Sequence, residues 1–309
     1  MKKYFYIALR ASPLVLVGLA VLVTGFHFAR GGMPRVYVWI FSVMGLIPIL
    51  GTVGILWSGV SWAIRRQMAW LDWSGLGVSV FASLFWGFAF GSYPIAFPAG
   101  DGSPELLIRP PMDGPIRVGW GGEKVSQNYH AAFPEQRWAY DLLVEPAMTG
   151  SDKNEDYGCF GKPVYAPTAG EVIVSTRDAP DEVPGGLNPD REGPACGNTV
   201  VLKVAETGTY LEVCHLKEQS VQVKVGDVVE EGDPLGQCGN SGNTSEPHLH
   251  MHHVRNDPRE VLFPGGMLNE ALRLGFRSVD GPIRPTGGLE VEGEEVLLLG
   301  DVIQFKSGE

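Results

Sequence analysis

The sequence predicts a mainly β, antiparallel domain placed after an α-helical region that crosses a membrane three times. Three observations predict it. Residues 1–99 contain three long apolar runs with no charged side chain inside any of them. From about Gly100 the chain turns to Gly, Pro and alternating apolar residues with almost no 3.6-residue period. The formal charge also changes sign: seven Lys and Arg against Asp72 give 7 − 1 = +6 for residues 1–99, so the rest carries −11 − 6 = −17. A balance this uneven excludes one homogeneous globular domain, and an acidic polar part would repel phosphate, which excludes a nucleic-acid partner. Four Cys in 309 residues are too few for a disulfide-built scaffold.

The apolar runs are Ala11 to Ala29, Val36 to Ile64 and Trp73 to Ala99. A bilayer crossing takes roughly 20 apolar residues, so each is expected to span, and the lipid bilayer is the expected partner of residues 1–99. Several of Trp39, Trp57, Trp62, Trp70 and Trp73 fall near run ends, where an aromatic belt sits. The basic residues at the N-terminus, with Arg65 and Arg66 in the second loop, favour a cytoplasmic N-terminus. Three crossings then deliver everything after Ala99 to the outer side of a bacterial inner membrane. All four Cys lie in that part, as an oxidising compartment permits. His27, near the end of the first run, reads as an interfacial residue.

Residues 100–124, with Pro104, Pro110, Pro111 and Pro115, are expected to be a linker or edge segment. Short runs bounded by turn residues follow at Lys162 to Pro167, Gly170 to Thr176, Asn198 to Val204, Thr209 to Leu216, Ser220 to Val225, Asp233 to Cys238 and Pro247 to Val254. Spacing of this kind predicts an antiparallel sandwich or barrel-like sheet. The stretch Asp178 to Pro194 reads as a long loop. Residues 259–309 are expected to be a tail with a helix at Met267 to Leu274 and short strands near Leu289 and Val296.

Four of the seven His fall within Pro247-His-Leu-His-Met-His-His253. On a strand, alternation puts His248, His250 and His252 on one face and Leu249 and Met251 on the other. Two imidazoles two apart can share work, one ligating a metal and its neighbour acting on water. His215 ends the apolar run that begins at Tyr210. Asp141 is the single carboxylate of the otherwise apolar run Trp138 to Val144 and needs a partner, which a metal ion or Arg137 would supply.

Taken in order, Asp141, Gly161-Lys-Pro-Val-Tyr-Ala-Pro167, Gly170-Glu-Val-Ile-Val, Gly197-Asn-Thr-Val-Val, His215-Leu216, Val225-Gly-Asp-Val-Val-Glu-Glu-Gly232, Leu235-Gly-Gln-Cys-Gly-Asn-Ser-Gly242 and Pro247-His-Leu-His250 resemble the lysostaphin/LytM-type zinc metalloendopeptidases. The resemblance covers about residues 125–255, and on it a domain of residues 125–258 is assigned. It implies a β fold of the duplicated hybrid motif type, one Zn2+ per chain in an open groove, and hydrolysis of peptide bonds in peptidoglycan. It also implies that Asp141 and His250 ligate zinc while His215 and His248 are catalytic.

One position departs from the pattern. The family's first zinc ligand, a His, stands four residues before the Asp, and this chain has Arg137 there, which cannot ligate a cation. The expectation is that His130 reaches the same place through the loop Ala131 to Gln136. The rival reading is a degenerate, metal-free member that binds cell wall or regulates other hydrolases. In the enzyme reading, two neutral imidazoles and one carboxylate leave zinc an open position for water, and one of His215 and His248 is the general base while the other stabilises the oxyanion. His252 either supports the site or forms a solvated edge, the second being adopted. Asn240 and Asn243 are expected to serve positive-φ turn geometry. Cys214 and Cys238 can pair on neighbouring strands, Cys159 with Cys196 competes, and the pairing stays open. Zinc ligation by Cys214 is disfavoured, because its side chain should face away from that of His215.

Overall fold

The computed structural model describes residues 2–29, 32–89, 96–98, 105–261, 268–276, 300 and 302–305. The chain divides into two compact units, 1–94 and 95–309.

In the first unit the described helices are α1 (Lys2–Phe28), α2 (Met33–Arg65, with a π-helical stretch at Val38–Leu46), α3 (Trp70–Ser83) and the short α4 (Trp86–Ala89), so the third apolar run is helical only in part. Small residues bring α2 and α3 together. A Cβ on Gly51 would lie 2.4 Å from the Ser83 backbone nitrogen, and one on Gly54 would meet the Ser79 hydroxyl. The turn between them is fixed by Asp72, which accepts from the Ala69 amide at 2.8 Å and pairs with Arg65 at 2.9 Å. Of the three expected spans, α2 alone among the described residues is long and apolar enough to cross a membrane; the apolar part of α1 is the shorter Ala11–Phe26. The 14 residues of α3 rise only about 21 Å, less than the ~30 Å of hydrocarbon.

Among the described residues the second unit has thirteen strands: β1 (Leu106–Ile108), β2 (Gly114–Trp120), β3 (Tyr140–Leu143), β4 (Pro163–Tyr165), β5 (Gly170–Ser175), β6 (Asn198–Val204), β7 (Tyr210–Leu216), β8 (Val228–Val229), β9 (Pro234–Gln237), β10 (Leu249–Val254), β11 (Ala271–Leu272), β12 (Leu274–Phe276) and β13 (Val302–Phe305). A nine-stranded antiparallel sheet runs β13-β2-β3-β10-β7-β6-β5-β8, with β11 also on β10; β4 pairs β9, and β1 pairs β12 in parallel. The predicted alternation is visible in β10, whose Leu249 and Met251 are fully buried in one core with Leu142, Val200, Leu202, Val213 and Leu216. Burying each such side chain stabilises the fold by about 1.5–3 kcal/mol.

Several expectations change. Gly114–Trp120 is an inner strand rather than a linker or edge, because Pro115 sits near its start and β13 returns from the far C-terminus to cover its free side. Ser220 to Val225 forms no strand and ends in a turn at Val225, and the pairing falls to Val228–Val229 instead. The described part of the expected helix at Met267 to Leu274 is a turn and β11, since Ala271 and Leu272 find open partners on β10. The strands expected near Leu289 and Val296 lie outside the described residues.

The Cys pairing is neither of the two weighed from sequence: Cys159 joins Cys238 and Cys196 joins Cys214, with sequence separations of 79 and 18. Cys238 follows β9, which β4 holds against the Cys159 turn, while the turn before β6 brings Cys196 to β7. Closing loops of those lengths removes unfolded-chain entropy worth about 4.5 and about 3 kcal/mol. Urea unfolding of C159S/C238S is therefore expected to show the larger loss of stability and C196S/C214S the smaller; equal losses would overturn the loop-length account.

His253 gives the sheet an acid-sensitive point. It is fully buried on the core-facing side of β10, with Nε2 2.5 Å from Thr209 Oγ1. Burial, then the neighbouring His252 and Arg255, push its pKa down to about 3. A folded pKa below the unfolded value near 6.5 means the unfolded state binds the extra proton. The stability is thus complete above about pH 6.5 and is lost as pH falls toward 3, with a slope of at most about 1.4 kcal/mol per pH unit. Thermal melts at pH 4 to 8 should show a shallower acid decline for His253→Gln, and an unchanged slope would remove His253 from that role.

Candidate metal centre

Three elements converge on Asp141. β3 carries it beside β10, where Asp141 pairs in register with His250, and His250 in turn pairs with Cys214 on β7. His130 arrives from a 3-10 turn, Tyr129–Ala132, continued by a second turn at Pro134–Gln136. The double turn is held by backbone bonds from Ala131 to Asn128, Phe133 to His130 and Gln136 to Phe133. Asn128, fully buried, ties it to the sheet by donating to the Ala139 carbonyl at 3.2 Å.

His250 Nδ1 lies 2.7 Å from Asp141 Oδ1, and His130 Nε2 lies 3.1 Å from Oδ2. All three side chains are buried, and their ligating atoms lie within 4.8 Å of one another. Each ring is oriented by a partner on its other nitrogen. His130 Nδ1 is 2.7 Å from the Gln136 amide oxygen, which needs a donor and therefore leaves the lone pair on Nε2, facing Asp141. Burial alone would raise the Asp141 pKa, but the His130, His248 and His250 side chains gathered around it hold it well below the usual carboxylate range. His250 is driven down to about 4 by burial, against the pull of Asp141. A carboxylate flanked by neutral imidazoles is the donor chemistry that borderline divalent cations take, so the residues present fit zinc.

Arg137 stands apart from this group. Its Nε donates to the Phe97 carbonyl at 2.7 Å, its guanidinium stacks on Trp138 at 4.1 Å, and burial lowers its pKa to about 10. The alternative pairing of Asp141 with Arg137 is therefore not adopted.

Two further imidazoles border the group. His215 and His248 have ring centroids 4.7 Å apart. His215 Nδ1 donates to the Ser241 carbonyl at 2.7 Å, and His248 Nδ1 to the Glu246 carbonyl at 2.8 Å, so both present Nε2 lone pairs. His248 Nε2 stands 3.6 Å from Asp141 Oδ1. Strand alternation predicts that His215 and Cys214 face opposite ways. His215 instead has φ +60°, and the β6–β7 register slips between Asn198 and Val200, which turns its ring toward His248. Its acceptor is placed by close backbone packing: a Cβ on Gly197, itself at φ +60°, would lie 2.4 Å from the Ser241 backbone. Burial, then the adjacent His248 and His250, keep His215 neutral, its pKa far below the usual histidine value.

Two cavities border the group. One cavity of about 310 Å³ is lined by His130, Glu135, His215 and His250, the other of about 270 Å³ by Trp120, Asp141, Glu246 and His248, and Tyr129 and Asn243 border both. Asn240 and Asn243 do not take the positive-φ role expected of them; Gly242 does, at φ +90°. Asn240 is fully buried and donates to the Glu182 carbonyl at 2.8 Å.

His252 is not a solvated edge residue. It is 4% exposed, and its ring touches His250 and Glu212. Sequence reasoning missed Glu212, Gln136, Ser241 and Glu135. Glu212 had a signal, being the single acid in the apolar run Tyr210 to Leu216, two residues from Cys214. Ser241 acts through its carbonyl, which no side-chain pattern reveals.

Residues 152–261 match the model of Peptidase family M23, a stretch that includes His215, His248 and His250 but not His130 or Asp141. Among solved structures the chain is similar to a putative peptidase M23 from Pseudomonas aeruginosa, at 23% identity over 51% of this chain and 49% of that one, TM-score 0.29. It is similar to the catalytic domain of the antimicrobial peptidase lysostaphin from Staphylococcus simulans, at 20% identity over 50% of this chain and 86% of that one, TM-score 0.30. A zinc containing peptidase from Vibrio cholerae is similar at 19% identity over 55% of this chain and 47% of that one, TM-score 0.28. The chain thus spans about half the length of the first and third. No curated protein matches it.

Proposed function

We propose, from the Peptidase family M23 match over residues 152–261, that the protein is a zinc metalloendopeptidase that hydrolyses peptide bonds of peptidoglycan while anchored in the bacterial inner membrane by its N-terminal helices. The observation that carries this reading is the convergence of His130, Asp141 and His250 within 4.8 Å, beside the two further imidazoles of His215 and His248 and bordered by two cavities.

His130 Nε2, Asp141 and His250 Nδ1 would hold the ion. A divalent cation there supplies Lewis acidity, which brings the pKa of a water toward neutrality and polarises the scissile carbonyl. The rest falls to the chain's own side chains. His215 and His248 each offer one acceptor to the two hydrogens of a single water. His248 is the member that takes the proton, because Asp141 at 3.6 Å stabilises the imidazolium that forms. The same nitrogen then returns the proton to the departing amine. His215, kept neutral by burial, orients the attacking oxygen.

The anchor reading rests on α2 and on the large apolar side chains that α1, α2 and α3 leave exposed, Leu22, Leu56 and Phe81 among them. An odd number of crossings would put the acidic part and its two disulfides on the oxidising outer side. Tethering then supplies the local substrate concentration that a charge of −17 cannot attract from an anionic wall.

Full-length chain purified in detergent is expected to hold about one equivalent of zinc and to release new amino termini from peptidoglycan, with both lost on chelation and restored by Zn2+. A chain that folds with both disulfides formed yet binds no zinc would overturn the enzyme reading and leave a metal-free wall-binding scaffold.

A further inference from the structure

The buried polar line does not stop at His250. On β10 the alternation that points His250 at Asp141 places His252 on the same side, and the register with β7 sets Glu212 directly opposite His252. His250 Nε2 stands 3.0 Å from His252 Nδ1, and His252 Nε2 stands 3.6 Å from Glu212 Oε1. His252 is 4% exposed, so water does not compete for either nitrogen.

A ring that offers its Nδ1 lone pair to a cation must keep its proton on Nε2. For His250, the acceptor within reach of that proton is His252 Nδ1. Accepting there leaves His252 its own proton on Nε2, directed at the Glu212 carboxylate. We propose that His252, backed by Glu212, is a positioning residue for the metal ligand His250: it holds the Nε2 proton, so that the Nδ1 lone pair stays aimed at the place shared with Asp141 and His130. Without the acceptor, His250 is free to adopt the other tautomer, whose Nδ1 proton points at Asp141 and blocks ligation. The inference rests on the reading that His130, Asp141 and His250 hold a divalent ion.

The test uses the full chain in detergent and two readouts, Zn2+ affinity by chelator competition and the visible absorption of the Co2+-loaded protein. His252→Phe keeps a buried ring but removes the acceptor, and is expected to weaken Zn2+ binding about 10- to 100-fold and to shift the Co2+ bands. His252→Asn puts an oxygen where Nδ1 was, and is expected to restore most of the affinity and the parental spectrum. An H252F chain that folds and binds Zn2+ within twofold of the parent, with the parental Co2+ spectrum, overturns the proposal. So does an H252N chain no better than H252F. Should H252F not fold, E212Q decides: about tenfold weaker binding supports the relay, and unchanged binding overturns it. A parent chain that binds no Zn2+ is a different failure, of the metal-centre reading itself.

Discussion

Asp141→Ala is expected to lose zinc and peptide hydrolysis together, with kcat/KM falling at least about 10⁴-fold, the scale seen when a member of a catalytic triad is disabled. Both carboxylate oxygens are engaged, one with His250 Nδ1 and one with His130 Nε2, so no single neighbour can replace the group. Removal also takes away the negative charge that stabilises His248 as it gains a proton. The fold should survive, because Asp141 is buried and its removal leaves beside it a His250 that burial keeps neutral rather than a stranded charge. Asp141→Asn separates the two contributions, keeping the shape of the side chain while removing its charge. Metal content by atomic absorption, with hydrolysis measured on the same preparations, checks the prediction. A D141A chain that retained about one equivalent of zinc would remove Asp141 from the ligand set.

His215→Ala is expected to behave differently: zinc stays, and turnover drops by a factor of roughly 10² to 10⁴. Its ring faces His248, and its Nδ1 donates to the Ser241 carbonyl rather than to Asp141. Alanine at φ +60° adds backbone strain of about 1 kcal/mol, so His215→Asn, a residue that tolerates that conformation, serves as the matched control. Loss of zinc from both variants would place His215 among the ligands instead. Loss from H215A alone would trace to the backbone.

What the sequence disclosed is what side-chain periodicity can carry. Asn198–Val204 and the polar and apolar faces of β10 follow from alternation and turn residues, and Asp141 was conspicuous as a lone acid among apolar neighbours. What it concealed depends on backbone detail or on distant segments. The left-handed residue at His215, the partnership of β2 with a strand from residues 302–305, and the Cys pairing all arise from contacts between pieces far apart in the chain. His252 was misjudged for a related reason. Nothing local to Met251-His-His253 shows that β7 pairs alongside it and sets Glu212 next to the His252 ring. Helix length was overestimated for the third apolar run because hydropathy marks where a chain avoids water, not where a helix ends.

The bond between Cys196 and Cys214 has a consequence for how the protein matures. Cys214 lies beside the rings of His250 and His252, their donor atoms within 4.8 Å of one another. As a free thiolate it would complete a rival Cys-His-His nest for soft cations, and that nest would draw His250 away from Asp141. Once its sulfur is shared with Cys196 it is no longer an anionic ligand. On the proposed metal reading, forming this bond before a cation binds would leave His130, Asp141 and His250 as the group to be loaded, whereas a reduced chain would offer both nests.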